Sequence, residues 1–477
     1  MNKNNDLNVF LKPKSVAVIG ATERPGSWGS IIMRGLNSQS YPGQIYPVNR
    51  RAGVVHGVAA VRDVREIPGP VDLAVFTIPE ESVEETIRAC GQKQVKGIVI
   101  ITAGFGEVSD VGRDREKDLV RLARSYGTRL LGPNVSGTYN LHTGFVAAGI
   151  RVKCPISSPL AAISQGGFAL HDLLGSGAAR GMGVGKFVHT GNECDLTVTD
   201  FLDYFCDDPE VKAIIMYLET IRDGDRFMTV ARKVAKKKPI VVYKAGRTAG
   251  SARAARSHTG ALAGRNEIYD GLLRQLGIVV SPTMELLLPL GHALIERPAM
   301  SGRRVAIFTM GGSWGVALSD SLEEAGLTVP ALSPELQKKL ISFGIPERAS
   351  IKNPIDVGAV AGPIPPSETM LSVGREIIAS GEVDALIFHG MGRPGMSNEG
   401  GSNTPLSYLE FEKKLIRAFS DLEKETGVPV LIGNHYSQWE SQVVSDLNEE
   451  GIRIYNRVDE MTHLLSRMYR HGQNKDK

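Results

Sequence analysis

Cysteine is scarce in this chain: four residues in 477, Cys90, Cys154, Cys194 and Cys206, with no CxxC spacing and no companion histidine pattern. That excludes the usual signatures of a zinc site and of a disulfide framework, and it fits a reducing compartment. An excess of either charge is also missing. Lys plus Arg is 55 against 52 for Asp plus Glu, a net of +3, too balanced for a nucleic-acid binder or a polybasic membrane protein. Long apolar runs are missing too. The opening MNKNNDLNVFLKPK has no apolar core, and MELLLPLGHALI is too short for a bilayer span and is interrupted by Pro289 and Gly291. The expectation is a cytoplasmic protein with no membrane or nucleic-acid partner and no metal site of its own. Its length suits about three domains.

What is abundant is glycine, 53 residues, which suits many strand-to-helix turns. SVAVIGA, from residue 15, reads as a buried strand ending in glycine, and SWGSIIMRGL after it has helical spacing of Ile31, Ile32 and Leu36. The unit repeats. IYPV, LAVFTIP, GIVIITAGFG and LLGPN read as strands, with amphipathic helices such as DLVRLARSYG between them. A second start is PLAAISQGGFALHDLLGSGAARG, followed by strands at GKFVHTG, AIIMYLE and PIVVYKAG. A third is RRVAIFTMGGSWGVALSDSLEEAG, followed by VDALIFHG, PVLIGN and RIYN. CPISSP and IERPAMSG read as linkers. Alternating β and α predicts three doubly wound parallel-sheet α/β domains, near 1–150, 155–295 and 300–470.

Parallel sheets bind ligands beyond the carboxyl ends of their strands, where helix N-termini favour anions. The first such turn, GATERPGSWG, carries Gly20, Gly26 and Gly29, but it is longer than GxGxxG. The second strand ends in Asn49, Arg50 and Arg51 instead of the acidic residue that binds a ribose. The two arginines either bind an extra phosphate, as in coenzyme A or NADP, or are solvated surface charges. In RAARSHTGALAG, His258 lies between small residues, with Gly260 and Gly264 leaving room for a phosphoryl adduct and Ser257 and Thr259 as short donors. Glu219 follows the strand AIIMYL, so it sits at a site edge. It either orients an imidazole or serves as a helix N-terminal acid. KKKP at 236–239 reads as a helix end complementing the dipole, and Trp28 and Trp314, each in a glycine-rich turn, either stack on an adenine or, as is commoner, pack against the protein.

Taken together, SVAVIGATERPGSWG with YPVNRR, GIVIITAGFGE, GPNVSG, AISQGG, KFVHTGNECDLTVTDFLDYF, YLE and KPIVVYKAGRTAGSARAARSHTGALAG resemble the α subunit of the NDP-forming acyl-CoA synthetases, specifically the ADP-forming acetate:CoA ligase type. The resemblance covers nearly the whole chain. It implies a Rossmann-like CoA-binding domain followed by two flavodoxin-like domains, and a His258 that is transiently phosphorylated with support from Glu219. CoA contacts are implied at Gly20, Gly26, Ser27, Trp28, Gly29, Asn49, Arg50, Arg51, Ile101, Thr102, Ala103 and Asn134. The acyl phosphate and phosphohistidine are implied to meet Ser164, Gly166, Gly167, Gly191, Asn192 and Gly260. ADP or ATP with Mg, on a separate ATP-grasp β subunit, completes the implied reaction on a small carboxylic acid, within a hetero-oligomer or with the chain as a homodimer.

The sequence departs from the family pattern in places. GPNVSG stands where GPNCLG is common, SQGGF where SQSGA is common, and GGSWG where GGPG is usual. His189 stands where a small residue is usual. Two competing expectations follow: a noncatalytic CoA or acyl-CoA sensor, and an NADP-dependent oxidoreductase, which the missing GxG disfavours.

Overall fold

The structure is a computed structural model, and it describes all residues except 1–2, 39, 52, 150–155, 252, 254–265, 346–348, 359–366, 393–407 and 476–477. The chain divides into two compact units, Met1–Gly291 and His292–Lys477.

The first unit opens with strands β1 (Ser15–Ile19), β2 (Gln44–Val48), a short hairpin of β3 (Val54–Val55) and β4 (Val58–Ala59), then β5 (Leu73–Phe76), β6 (Gly97–Ile100) and β7 (Arg129–Leu131). Five of them form a parallel sheet in the order β2-β1-β5-β6-β7. β1, β5 and β6 are buried at every position because both faces are covered, and apart from Ser15 they carry no polar side chain. Val16, Val18, Leu73 and Val75 share a core with Ile32, Met33 and Leu36 of helix α1 (Trp28–Ser38). Their neighbours Ala17, Ile19, Ala74 and Phe76 face the other way, onto Val83 and Ile87 of α2 (Val83–Gln92) and Leu119 and Ala123 of α3 (Asp110–Ser125). Ser109 caps α3 by accepting from the Gly112 N–H.

A second sheet follows: β8 (Gly137–Asn140), β9 (Phe145–Ala148), β10 (Leu160–Ser164), β11 (Lys186–His189), β12 (Ala213–Leu218), β13 (Ile240–Lys244) and β14 (Val279–Val280), in the order β14-β13-β12-β10-β11-β8-β9. Helices α4 (Phe168–Ala179), α5 (Val198–Cys206) and α6 (Gly224–Ala235) connect its parallel strands. The chain runs from β10 to β11 on one side and returns to β12 on the other, so the loop after β10 lies at the point where the winding reverses.

The α/β parallel-sheet class expected from the sequence is present. The antiparallel β8–β9 hairpin was not expected. GTYN and FVAA lack the β-branched runs that mark the other strands, yet β8 pairs with β11 and is fully buried. The hairpin therefore belongs to the second sheet, although it precedes the expected boundary near residue 150. The lysines of KKKP lie just past α6. Lys237 pairs with Asp207 at 2.7 Å, and Lys238 donates to the carbonyls of Phe205 and Asp208.

The second unit holds a third parallel sheet of β15 (Val305–Thr309), β16 (Ile355–Asp356), β17 (Ala385–His389), β18 (Val430–Gly433) and β19 (Ile454–Tyr455), in the order β16-β15-β17-β18-β19. Ala306, Phe308, Phe388 and Ile432 build its core with Met370, Ile377 and Phe419. Trp314, in the helix after β15, packs between the rings of His389 and His435 at 5.2 and 5.1 Å. Among the described residues no helix is long and apolar enough to cross a membrane.

Candidate active site

The carboxyl edge of the first sheet carries a cleft of about 530 Å³ between the ends of β1, β2 and β5 and the flank of α2. Gly20, Asn49 and Arg50, three of the residues implied for CoA, line it. Arg62, Arg65 and Arg88, which the sequence reading did not single out, line it as well. Asn49 shapes the mouth: its amide donates to the Ala21 carbonyl at 2.7 Å and its Oδ1 accepts from the Arg51 N–H at 2.8 Å. Arg50 lies on the cleft, 4.0 Å from Glu85, whereas Arg51 is exposed and outside the lining. Arg65 grips Asp63 through two bonds of 2.8 and 2.6 Å, and this pairing holds the Asp63 carboxyl below its ordinary range. A cleft with four guanidinium groups and two carboxylates favours a polyanion.

Gly26, Ser27, Trp28 and Gly29 form the turn into α1 and are not part of that lining. Gly29 is there for a steric reason: a Cβ would stand 2.2 Å from the Gly20 carbonyl oxygen, so only glycine lets α1 approach β1. Ile101, Thr102 and Ala103 follow β6. Ile101 is buried, Thr102 donates to the Ile78 carbonyl at 2.6 Å, and Ala103 is exposed. The Asn134 N–H donates to the Thr102 carbonyl at 2.9 Å, which joins this turn to the loop after β7.

Asn134 is also the link to the second sheet. Its side chain lies 3.4 Å from that of Asn192, and a Cβ on Gly191 would come within 2.6 Å of the Asn134 carbonyl. The residues implied for CoA and those implied for phosphate therefore meet at this point. The Asn192 amide also donates to Glu107 and, at 2.7 Å, to Glu116, whose carboxyl burial pushes up.

At the end of β10 the Ser164 hydroxyl donates to the Gly166 carbonyl at 2.5 Å, closing the turn over 164–167. Gly166 lies under the Tyr217 ring, where a Cβ would stand 2.6 Å from a ring carbon. Gln165 ties the turn to Glu219. Its Oε1 accepts from the Glu219 and Thr220 N–H groups at 2.6 and 3.0 Å, and its Nε2 donates to the Thr220 carbonyl at 2.9 Å. Glu219 is 8 % exposed and sits at the carboxyl end of β12, as expected.

Beside Glu219 is Lys244, which the sequence reading passed over. Only 2 % exposed, it donates to the carbonyls of Glu219 and Ala245 at 2.7 and 2.5 Å and lies 4.5 Å above the Tyr269 ring. Burial holds its ammonium below the ordinary range. Its place at the last position of a buried strand was the available signal.

Glu193, also missed, is buried and accepts from Thr190 and the Val198 N–H, and burial raises its carboxyl to about 7. His258 and Gly260, with Ser257 and Thr259, lie outside the described residues. Among the described residues no group of three His, Cys, Asp or Glu side chains is arranged to hold a metal ion.

Residues 14–140 match the CoA binding domain family and residues 157–294 match the succinyl-CoA ligase like flavodoxin domain family. The chain is 37 % identical over 465 residues to the acetate–CoA ligase [ADP-forming] II subunit alpha of Pyrococcus furiosus, covering 95 % of each chain. It is 34 % identical over 473 residues to the corresponding I subunit alpha of the same organism, covering 97 % of each. In structure it resembles the dinucleotide-forming acetyl-coenzyme A synthetase 1 of Ca. Korarchaeum cryptofilum, solved with phosphate and ADP, with a TM-score of 0.85, 32 % identity and 99 % of this chain covered against 98 % of that one. With two domain matches that together span more than half of the chain, and similarity along nearly its whole length to subunits of one enzyme type, the chain belongs to the α subunits of the ADP-forming acyl-CoA ligases.

Proposed function

We propose that this α subunit interconverts acyl-CoA and phosphate with a free carboxylic acid and CoA, passing the phosphoryl group through His258 to ADP on a separate ATP-grasp β subunit that supplies Mg. The reading divides the chain into a CoA domain near 1–150, a phosphohistidine domain near 155–295 and a third domain near 300–470, working in the cytoplasm as part of a hetero-oligomer. One chain of contacts carries it: Asn134 reaches Asn192 beside Gly191, the Thr190 N–H donates to the Ser164 carbonyl, and Gln165 ties the 164–167 turn to Glu219, while Thr102, bonded to Asn134 and to Ile78, leads from this edge to an arginine-lined cleft sized for a nucleotide.

CoA places its charged adenosine phosphates in the cleft with Arg50, and its thiol end runs past Asn134 towards the 164–167 turn. A phosphate oxygen attacks the thioester carbonyl, the C–S bond breaks, and the thiolate leaves and takes a proton. The N–H groups at the turn and the start of α4 offset the phosphate charge. The imidazole of His258 then attacks phosphorus, the P–O bond to the acyl group breaks, and the carboxylate leaves. Glu219 accepts the ring N–H and stabilises the charged imidazole as it forms. An oxygen of ADP finally takes the phosphoryl group from His258, and every step reverses for acyl-CoA synthesis.

The test is a coupled assay of the chain with its β partner on a panel of acyl-CoA thioesters, phosphate and ADP. ATP formation that falls by about a hundredfold in Glu219→Gln supports the reading. CoA binding without turnover on any thioester assigns the chain to the sensor class instead.

A further inference from the structure

Two of the positions where this chain departs from its family, Ser136 and His189, touch one another beneath the phosphate turn. The Ser136 N–H lies 2.7 Å from His189 Nδ1, and the Ser136 hydroxyl lies 2.9 Å from the same nitrogen and 3.0 Å from Nε2 of His171. On the far side of the ring, His189 Nε2 lies 3.1 Å from the Gln165 carbonyl oxygen. Ser136, His171 and His189 are 3, 6 and 4 % exposed, so water does not compete for these bonds.

The direction of each bond follows from chemistry. A backbone N–H only donates, so Nδ1 of His189 accepts and the ring proton sits on Nε2, which donates to Gln165. A planar trans peptide holds its C=O and N–H on opposite sides. Drawing the Gln165 carbonyl towards His189 therefore turns the N–H of Gly166 away from it. The Gln165 side chain is meanwhile fixed by Glu219 and Thr220, and the Gly166 carbonyl accepts from the Ser164 hydroxyl, so the residues on both sides of that peptide are held. A Cβ on Gly167 would stand 3.4 Å from the ring carbon Cε1, so the imidazole also supports the next residue of the turn.

We infer that His189, seated on Ser136, is a positioning residue that orients the Gly166 N–H for the phosphoryl group and so sets the affinity of this enzyme for phosphate. The inference rests on the ligase reading above, and two substitutions separate the two ends of the ring. In His189→Asn the amide oxygen takes the place of Nδ1 and keeps the Ser136 N–H, but the side chain ends short of Gln165. In His189→Gln the amide nitrogen takes the place of Nε2 and keeps the Gln165 bond.

The measurement is made twice: as the KM for phosphate in acyl-CoA phosphorolysis by the chain with its β partner, and as inorganic phosphate affinity of the chain by calorimetry. His189→Asn is expected to weaken both by about tenfold, the loss of one hydrogen bond, while CoA affinity stays within about twofold and Gln restores phosphate to within about threefold of the parent. Unchanged phosphate affinity in the Asn variant overturns the inference. So does an equal loss for phosphate and CoA in both variants, which describes a packing role alone, and so does a parent that binds no phosphate. A parent that shows the calorimetric ranking but turns over no thioester leaves the positioning role standing and removes the ligase reading.

Discussion

Arg50 and Arg51 are neighbours in sequence, but only Arg50 lies on the cleft, because the Asn49 side chain turns the backbone at Arg51. The sequence could name the pair and its charge; which arginine faces inward depends on a turn closed by a hydrogen bond. Arg50→Ala is expected to weaken CoA binding by about five- to tenfold, modest because the side chain is exposed, and to reduce discrimination against dephospho-CoA. Arg51→Ala leaves both unchanged. Calorimetry with the two ligands checks this, and equal effects of the two substitutions would contradict the assignment.

Glu193 offers a test by pH. Burial raises its carboxyl from an ordinary 4.5 to about 7, so the native state keeps a proton that the unfolded chain gives up. Its contribution to stability is thus undiminished below about 4.5, falls as pH rises towards 7, and is fully unfavourable above that. Relative to Glu193→Gln, the parent should lose about 3 kcal/mol of unfolding free energy between pH 4.5 and 8, measured by urea denaturation. A difference that does not change with pH would contradict it.

At the scale of elements, the strands written as β-branched apolar runs were legible and those written otherwise were not. Leu73–Phe76 and Ala213–Leu218 show their class directly, whereas Gly137–Asn140 is a strand because β9 and β11 pair with it on either side. The tertiary pairing supplies what local propensity lacks.

Helix α1 illustrates a second tertiary constraint. It lies so close to its neighbours that a Cβ at Gly29 would meet the Gly20 carbonyl at 2.2 Å and one at Gly35 would meet the Val146 carbonyl at 2.7 Å. Both obstacles are backbone, which cannot swing aside as a side chain can. Gly29→Ala is therefore expected to cost about 1 to 3 kcal/mol in urea denaturation and to weaken CoA binding, since the 26–29 turn shifts with the helix. At Gly26, with a φ of +77° and nothing within 4 Å of its Cβ position, a side chain meets no neighbour and suffers only the strain of a left-handed backbone, so Gly26→Ala costs about 1 kcal/mol. Equal costs at the two positions would contradict the packing argument.

For the whole molecule, the family was legible because its motifs are short runs of neighbouring residues, and two of them, SQGG and GNE, follow β10 and β11 at one sheet edge. The network that joins them was not legible. Gln165 reaches Glu219 across 54 positions, and Ser136 reaches His189 across 53, distances at which sequence carries no pairing signal. Lys244 was hidden for a similar reason, since a lysine ending an apolar strand reads as an exposed terminus until the neighbouring strand and Tyr269 cover it.

The central claim is that the phosphoryl group passes through this chain at His258, and it is tested most directly by incubating the chain and its β partner with labelled phosphate and acyl-CoA, or with γ-labelled ATP. The parent should acquire an acid-labile, base-stable label on this subunit that ADP discharges, and His258→Asn should acquire none. A label that persists unchanged in His258→Asn, or a parent that makes ATP from acyl-CoA without ever becoming labelled, would contradict the account.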